Sequence, residues 1–243
     1  MKTDENKKDF LIQRATRFYE KYGPELEQIA QSLEIKLNQL ALAYTMQNKL
    51  PRECIIVTSR VKTLKSFIKK LERQNWKAFY NPIQIATDLI GTRVICWFLD
   101  DCMGIYDYIL KTNQFHILPG SLENYIEKPK KSGYRSIHLL AEVPFDRVKL
   151  ISNKLKIVPG NMVAEIQVRT KLMDVWADLT HEFHYKAKAL GIENKHLDGV
   201  LKSQSDSLQA QDNAFLNMRN VYQQMVEKEQ TKKKKREGFA GKS

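Results

Sequence analysis

Apolar residues recur at three- and four-residue spacing through the first fifty positions. Leu26, Ile29, Ala30, Leu33, Leu37, Leu40, Ala41 and Tyr44 form one stripe, which predicts a helix over 24–48. A shorter helix is predicted over 8–22, with Pro24 suited to the first position of the second. Pro51 closes this region. Cys54 to Thr58 is short and β-branched and reads as a strand, after which Val61, Leu64, Phe67, Ile68 and Leu71 restore helical spacing over 59–73. A loop containing Pro82 leads to Asp88, where a helix end is expected to run into a buried strand at 92–98. A helix over 101–112 and strands at 114–118 and 136–143 follow. In 163–169 strict alternation puts Glu165, Gln167 and Arg169 on one strand face, with Ala164, Ile166 and Val168 on the other, toward a core. Thr170 is placed to cap a helix over 171–189, and a last helix spans 196–227.

This order predicts an α/β (α+β) domain: a mixed sheet of four or five strands flanked by helices. The expected organisation is a helical N-terminal extension (1–50), a central domain (51–190), a C-terminal helical region (191–227) and a basic, disordered tail (228–243). At 243 residues and 42% hydrophobic content, one sizeable core is affordable. No apolar run approaches the ~18 residues of a membrane span, and the first residues carry no signal-peptide pattern. Cys54, Cys96 and Cys102 are odd in number and lack C-x-x-C spacing. Buried, reduced thiols and a cytoplasmic location are therefore expected. The net charge is +12. Residues 226–243 hold seven Lys/Arg and three Glu, so the tail supplies +4 and the body keeps about +8. Such a surface suits polyanionic partners, nucleotides or RNA.

Candidate chemistry lies in three clusters. Lys128-Pro-Lys-Lys-Ser-Gly-Tyr-Arg-Ser-Ile-His138 is a cationic, turn-prone loop that presents Tyr134 and enters a strand. It stands with the polar strand face of Glu165 and Gln167, a combination suited to a phosphorylated, base-bearing ligand. Arg60 and Lys62 leave a strand two residues apart, and Ser66 and Lys70 share a helix face one turn apart. Together they make a cradle for a triphosphate, although a solvated basic helix face has the same composition. Asp88 and Arg93 flank a strand start, as a metal ligand and phosphate clamp would; an ordinary ion pair explains them equally well. Two other segments fail on spacing. Gly238 to Ser243 lacks the first glycine of a phosphate loop, and in His181-Glu-Phe-His184 the second histidine comes three residues on, where a zinc-protease helix needs four.

Taken jointly, Arg60-x-Lys62-x-x-x-Ser66-x-x-x-Lys70, Asp88-Leu-Ile-Gly-x-Arg93, Gly133-Tyr-Arg-Ser-Ile-His138, Glu165-Ile-Gln-Val-Arg-Thr170 and Trp176-Ala…His181…Tyr185-Lys resemble the synthetase domain of the RelA/SpoT alarmone family. The resemblance runs over roughly 50–190 and extends to the helical ends of the small stand-alone synthetases. It implies a nucleotidyltransferase-like fold and transfer of pyrophosphate from ATP to the ribose 3′-hydroxyl of GDP or GTP, giving AMP and ppGpp or pppGpp. On that resemblance Arg60 packs on adenine, while Lys62, Ser66 and Lys70 hold the ATP phosphates. Asp88 and Glu165 bind Mg²⁺, Glu165 also serves as base for the acceptor hydroxyl, and Arg93 neutralises the transferred group. Tyr134 stacks on guanine, Lys128, Lys130 and Lys131 meet the acceptor's 5′-phosphates, and His138 and Gln167 position that nucleotide. It also implies a homotetramer built through terminal helices; the amphipathic helices at 24–48 and 196–227 suit that role and equally suit completing the monomer's own core. Relatives that modify the 3′ end of tRNA or make adenosine alarmones are the nearest alternatives, and a non-catalytic RNA- or nucleotide-binding module is a third.

Overall fold

The computed structural model describes residues 2–80, 82–84, 86–189 and 195–240. The strands are β1 (Ile55–Val61), β2 (Ile90–Cys96), β3 (His116–Ile117), β4 (Glu123–Asn124), β5 (Ile137–Ile151) and β6 (Lys154–Thr170), and the helices α1 (Lys2–Gln47), α2 (Leu64–Arg73), α3 (Leu99–Lys111), α4 (Lys171–Ala189) and α5 (Lys195–Ala240). Among the described residues the sheet has six strands, ordered β1-β2-β6-β5-β3, with β4 also beside β5. Among the described residues only the central β2–β6 pair is parallel; β1–β2, β3–β5, β4–β5 and β5–β6 are antiparallel. The expected mixed sheet between helices is present, one strand larger.

Alternation decides which face each side chain takes. Ile90, Thr92, Val94 and Cys96 of β2 and Met162, Ala164, Ile166 and Val168 of β6 point into the core, each at 5% exposure or less. Gly91, Arg93, Glu165 and Gln167 therefore share the opposite face. The core face is covered by α1 and α3. All three cysteines are buried free thiols.

Several elements differ from expectation. The two predicted N-terminal helices are one, with Pro24 inside it. An internal proline costs about 3 kcal/mol. The stripe nevertheless stays in register across it, from Leu11, Ala15 and Phe18 to Leu26, Ile29, Leu33 and Leu37, all buried in the common core. At about 1.5–3 kcal/mol for each large side chain, that burial outweighs the proline. The N-terminal segment thus completes the sheet's own core. Residues 59–61 are strand where helix was expected, because they pair with Thr92, Gly91 and Ile90 and Glu34 accepts the Ser59 N–H at 2.7 Å. α2 starts at Leu64, capped by the Thr63 hydroxyl, which accepts the Ser66 N–H. Asp88 lies in a turn, without the expected helix end.

β5 and β6 are far longer than the predicted 136–143 and 163–169. They continue as a two-stranded ribbon closed by Ser152 and Asn153, both at positive φ (51° and 56°), as a two-residue type I′ turn requires. The ribbon's outer half lacks an apolar-in, polar-out pattern because both of its faces meet solvent, and Pro144 and Pro159 disguise it further. At the C-terminus α5 runs as helix through Lys232 to Arg236 to Ala240, where a disordered tail was expected. No helix among the described residues is long and apolar enough to cross a membrane.

Candidate active site

The polar sheet face collects most of the predicted side chains because adjacent strands place them in register. Arg60 of β1 pairs with Gly91 of β2, and Gly91 with Glu165 of β6. One step along, Arg93 pairs with Gln167, and Gln167 with His138 of β5. Asp88 sits just before β2, three residues from Gly91.

At one end Asp88 lies between two ammonium groups, Lys62 at 2.9 Å and Lys70 at 2.8 Å. Lys62 reaches it from the end of β1, and Lys70 from the second turn of α2. Burial alone would raise the Asp88 pKa, but the hydrogen bonds and charges of the two lysines outweigh it and hold the carboxyl below its ordinary value. Ser66 is exposed on the first turn of α2, where its hydroxyl accepts from Thr63. Arg60 is exposed at the mouth.

At the other end a chain of hydrogen bonds leads from the loop to Glu165. The Tyr134 hydroxyl and His138 Nε2 are 2.7 Å apart, and His138 Nδ1 lies 3.0 Å from Glu165 Oε1. An ionised carboxylate only accepts, so Nδ1 carries the proton, and in a neutral ring Nε2 accepts from the phenol. Gln167 Nε2 donates to the other oxygen, Glu165 Oε2, at 2.6 Å, and Arg169 in turn donates to the Gln167 carbonyl oxygen. Burial pushes the Glu165 pKa up, but the His138 and Gln167 contacts outweigh it and leave the carboxyl below its usual range. His138 and Gln167, expected to touch a nucleotide, here grip the carboxylate.

Tyr134 is not the freely presented ring the sequence suggested. It is half-buried among Tyr125, His138 and Trp176, with ring centroids at 6.1, 5.5 and 6.4 Å, and this burial raises its phenol pKa. Lys130 lies 4.1 Å over the Tyr125 ring and 5.4 Å from that of Tyr134, cation–π distances that fix its ammonium beside the aromatic cluster. Lys128 and Lys131 are exposed on the same loop. Arg93 turns toward α4, where it meets Asp178 at 2.9 Å and Asp174 at 3.3 Å. Arg169, 1% exposed, faces Asp174 at 3.5 Å, and burial lowers its pKa.

Sequence reasoning passed over Asp174, Asp178 and Tyr125. The two aspartates stand four apart in the helix that Thr170 begins, so they share the face turned back on β2 and β6; that spacing was the available signal. Tyr125 lies three residues before the basic loop, with nothing local to mark it. The side chains of His184, Tyr185 and Lys186 and the end of the segment 238–243 lie outside the described residues.

A family model described as a region found in RelA / SpoT proteins matches residues 59–189, from β1 to the end of α4. The GTP pyrophosphokinase YwaC of Bacillus subtilis is 34% identical over 129 residues, covering 53% of this chain and 57% of that protein. YjbM, a GTP pyrophosphokinase of the same organism, is 29% identical over 171 residues, 69% of this chain and 74% of its own. The chain thus spans little more than half the length of YwaC. Among solved structures, a GTP pyrophosphokinase family protein from Streptococcus pneumoniae superposes with a TM-score of 0.67 at 28% identity, covering 85% of this chain and 95% of that one. The small alarmone synthetase 1 of Bacillus subtilis, bound to its product pppGpp, gives a TM-score of 0.69 at 24% identity over 84% of this chain and 98% of that one. That last likeness speaks to the fold.

Proposed function

Because this chain belongs to the RelA/SpoT family, we propose that it transfers pyrophosphate from ATP to the ribose 3′-hydroxyl of GDP or GTP, forming ppGpp or pppGpp and AMP. One observation carries the reading. A cation-clamped carboxylate (Lys62–Asp88–Lys70) and a carboxylate wired to an aromatic loop (Glu165–His138–Tyr134) occupy one polar sheet face.

In the reaction the acceptor O3′ attacks the β-phosphorus of ATP, and the bond from that phosphorus to the α,β-bridging oxygen breaks, releasing AMP. Glu165 accepts the hydroxyl proton. Lys62, Ser66 and Lys70 bind the donor phosphates, Arg60 lies against the adenine, and Arg93, oriented by Asp174 and Asp178, meets the charge on the transferred group. Tyr134 receives the guanine, Lys128, Lys130 and Lys131 meet the acceptor phosphates, and His138 and Gln167 fix the base-acceptor geometry from beneath.

The residues fit Mg²⁺. The donor set is two carboxylates, Asp88 and Glu165, both held below their ordinary pKa and close enough for the Asp88 charge to act on Glu165. A small hard cation takes one or two carboxylates and completes its shell with substrate phosphates. Bound there, Mg²⁺ supplies charge neutralisation for the donor phosphates. Phe215, Met218, Tyr222 and Met225, each 44–67% exposed along α5, support self-association through α5, in the homotetramer the resemblance implies. A cytoplasmic location accords with the buried free thiols. A tRNA acceptor is the second reading, favoured by the basic run 232–236 at the end of α5.

The test uses ATP labelled in its terminal phosphate with Mg²⁺ and, separately, GDP, GTP, ADP or deacylated tRNA. Label on the guanine nucleotides is expected. Label on tRNA or ADP alone would replace the acceptor, and label on none would leave a binding module.

A further inference from the structure

Two consecutive residues of α5 hold the two residues that flank Tyr134. The Ser205 hydroxyl, 4% exposed, donates to the Gly133 carbonyl at 2.5 Å. Asp206 Oδ1 accepts from Arg135 at 2.9 Å, and the same guanidinium donates to the Ile126 carbonyl at 3.2 Å. One turn earlier, the indole N–H of Trp176, whose ring packs near Tyr134, donates to the Leu201 carbonyl at 3.1 Å. The approach is close enough to exclude a side chain at 133. A Cβ there would fall 2.8 Å from Ser205 Cβ and 3.0 Å from Lys202 Cα, and Gly133 sits at φ +91°. Glycine at this position thus meets both a backbone and a contact requirement. Within the loop, Gly133 N–H donates to the Lys130 carbonyl at 2.8 Å and Lys130 N–H to that of Tyr134 at 3.2 Å. Fixing 133 and 135 therefore also fixes the backbone that carries Lys130.

We propose that Ser205 and Asp206 of α5 are positioning residues for the acceptor: they clamp the loop on both sides of Tyr134 so that ring and lysines are already set when the nucleotide arrives. The inference rests on the assignment of this loop to the acceptor. Both residues lie beyond the family-matched span 59–189, so acceptor affinity is controlled by a helix outside the catalytic region. An ordered loop spares the nucleotide the entropy of fixing it, and the effect belongs to acceptor binding, since no hydrogen bond or ion pair among the described residues joins the Lys62–Asp88–Lys70 cluster to this pair.

The test compares the full chain with Ser205→Ala, Asp206→Ala and the double variant in two measurements. In steady-state kinetics, loss of one charge-assisted bond raises the KM for GDP or GTP about tenfold, with the KM for ATP unmoved and Asp206→Glu recovering most of the loss. In amide hydrogen exchange without nucleotide, residues 128–136 exchange faster in the double variant, while β2 and β6 keep their protection. An unchanged acceptor KM, equal rises in both KM values, or unchanged exchange across 128–136 overturns the clamp. If the unaltered chain labels no guanine nucleotide, the proposed function fails, and the exchange measurement still decides the clamp.

Discussion

Asp212 offers a stability prediction with a sign and a size. It is 2% exposed on α5, where it accepts the Thr170 hydroxyl at 2.8 Å. The same hydroxyl accepts the Met173 N–H at the start of α4, so the carboxylate joins the end of β6 to two helices. Burial raises its pKa from 3.8 to about 6, against the opposing pull of the Thr170 hydrogen bond and the Arg135 charge. A folded-state pKa above the unfolded one means that the side chain's contribution is fully present below about pH 3.8 and is lost as pH rises through 6. A difference of about 2.2 units at 1.36 kcal/mol each makes the ionised aspartate cost about 3 kcal/mol at pH 7.5. Asp212→Asn keeps an acceptor for Thr170 and removes the charge, and the raised pKa already includes the Arg135 attraction that is lost with it. It should therefore stabilise the protein at pH 7.5 by up to about 3 kcal/mol, a rise of about 6–12 °C in Tm for a chain of this size. By pH 5 the difference should be roughly half, and near pH 4 almost gone. Urea unfolding of both proteins at the three pH values measures this. A variant less stable than the parent at pH 7.5, or a difference that does not shrink on acidification, would refute the reasoning.

Glu165→Gln should lower labelled-pyrophosphate transfer by about 10²-fold, through lost placement of the acceptor hydroxyl, with the melting temperature held near that of the parent; unchanged turnover would remove Glu165 from the chemistry. Tyr134→Ala should raise the acceptor KM about 5- to 150-fold, the equivalent of ~1–3 kcal/mol of lost stacking; an effect confined to the ATP KM would contradict its assignment.

What the sequence disclosed follows from where periodicity is enforced by burial. β6 between 162 and 168 and β2 between 90 and 96 alternate cleanly because one face of each is sealed, so the polar set Glu165, Gln167 and Arg93 was legible. The α1 stripe was equally legible, but not its continuity: Pro24 is a strong local stop signal that only the shared core overrides. The ribbon 144–162 was hidden because a strand exposed on both faces has no pattern to read. Pairings between distant segments were hidden for a different reason. Nothing local to Arg93 announces Asp174 and Asp178, and nothing in the basic loop announces that Tyr134 will be packed on three rings and clamped by Ser205 and Asp206. Those contacts depend on the parallel β2–β6 pairing and on where α5 crosses the loop.

The depressed pKa of Glu165 bears on how it would act in the proposed transfer. A general base works best with a pKa near the working pH, and here the His138 and Gln167 contacts push the carboxyl the other way. Proton affinity is therefore not its main contribution. A loose phosphoryl-type transition state asks little of the nucleophile's deprotonation and much of its placement. Each Glu165 oxygen holds one hydrogen bond and retains a free lone pair, so under the proposed function the carboxylate would orient the 3′-hydroxyl toward the β-phosphorus. Asp88 follows the same logic, kept ionised by Lys62 and Lys70. Both lowered pKa values mean that the ionised forms persist as pH falls, so the acid limb of kcat/KM should lie below the ordinary carboxylate range. Lys70→Met removes one of the two cations on Asp88 and should move that limb upward. A limb near neutral pH in the parent protein, or one that Lys70→Met leaves in place, would assign the titration to another group and return the burden of the proposed catalysis to base strength.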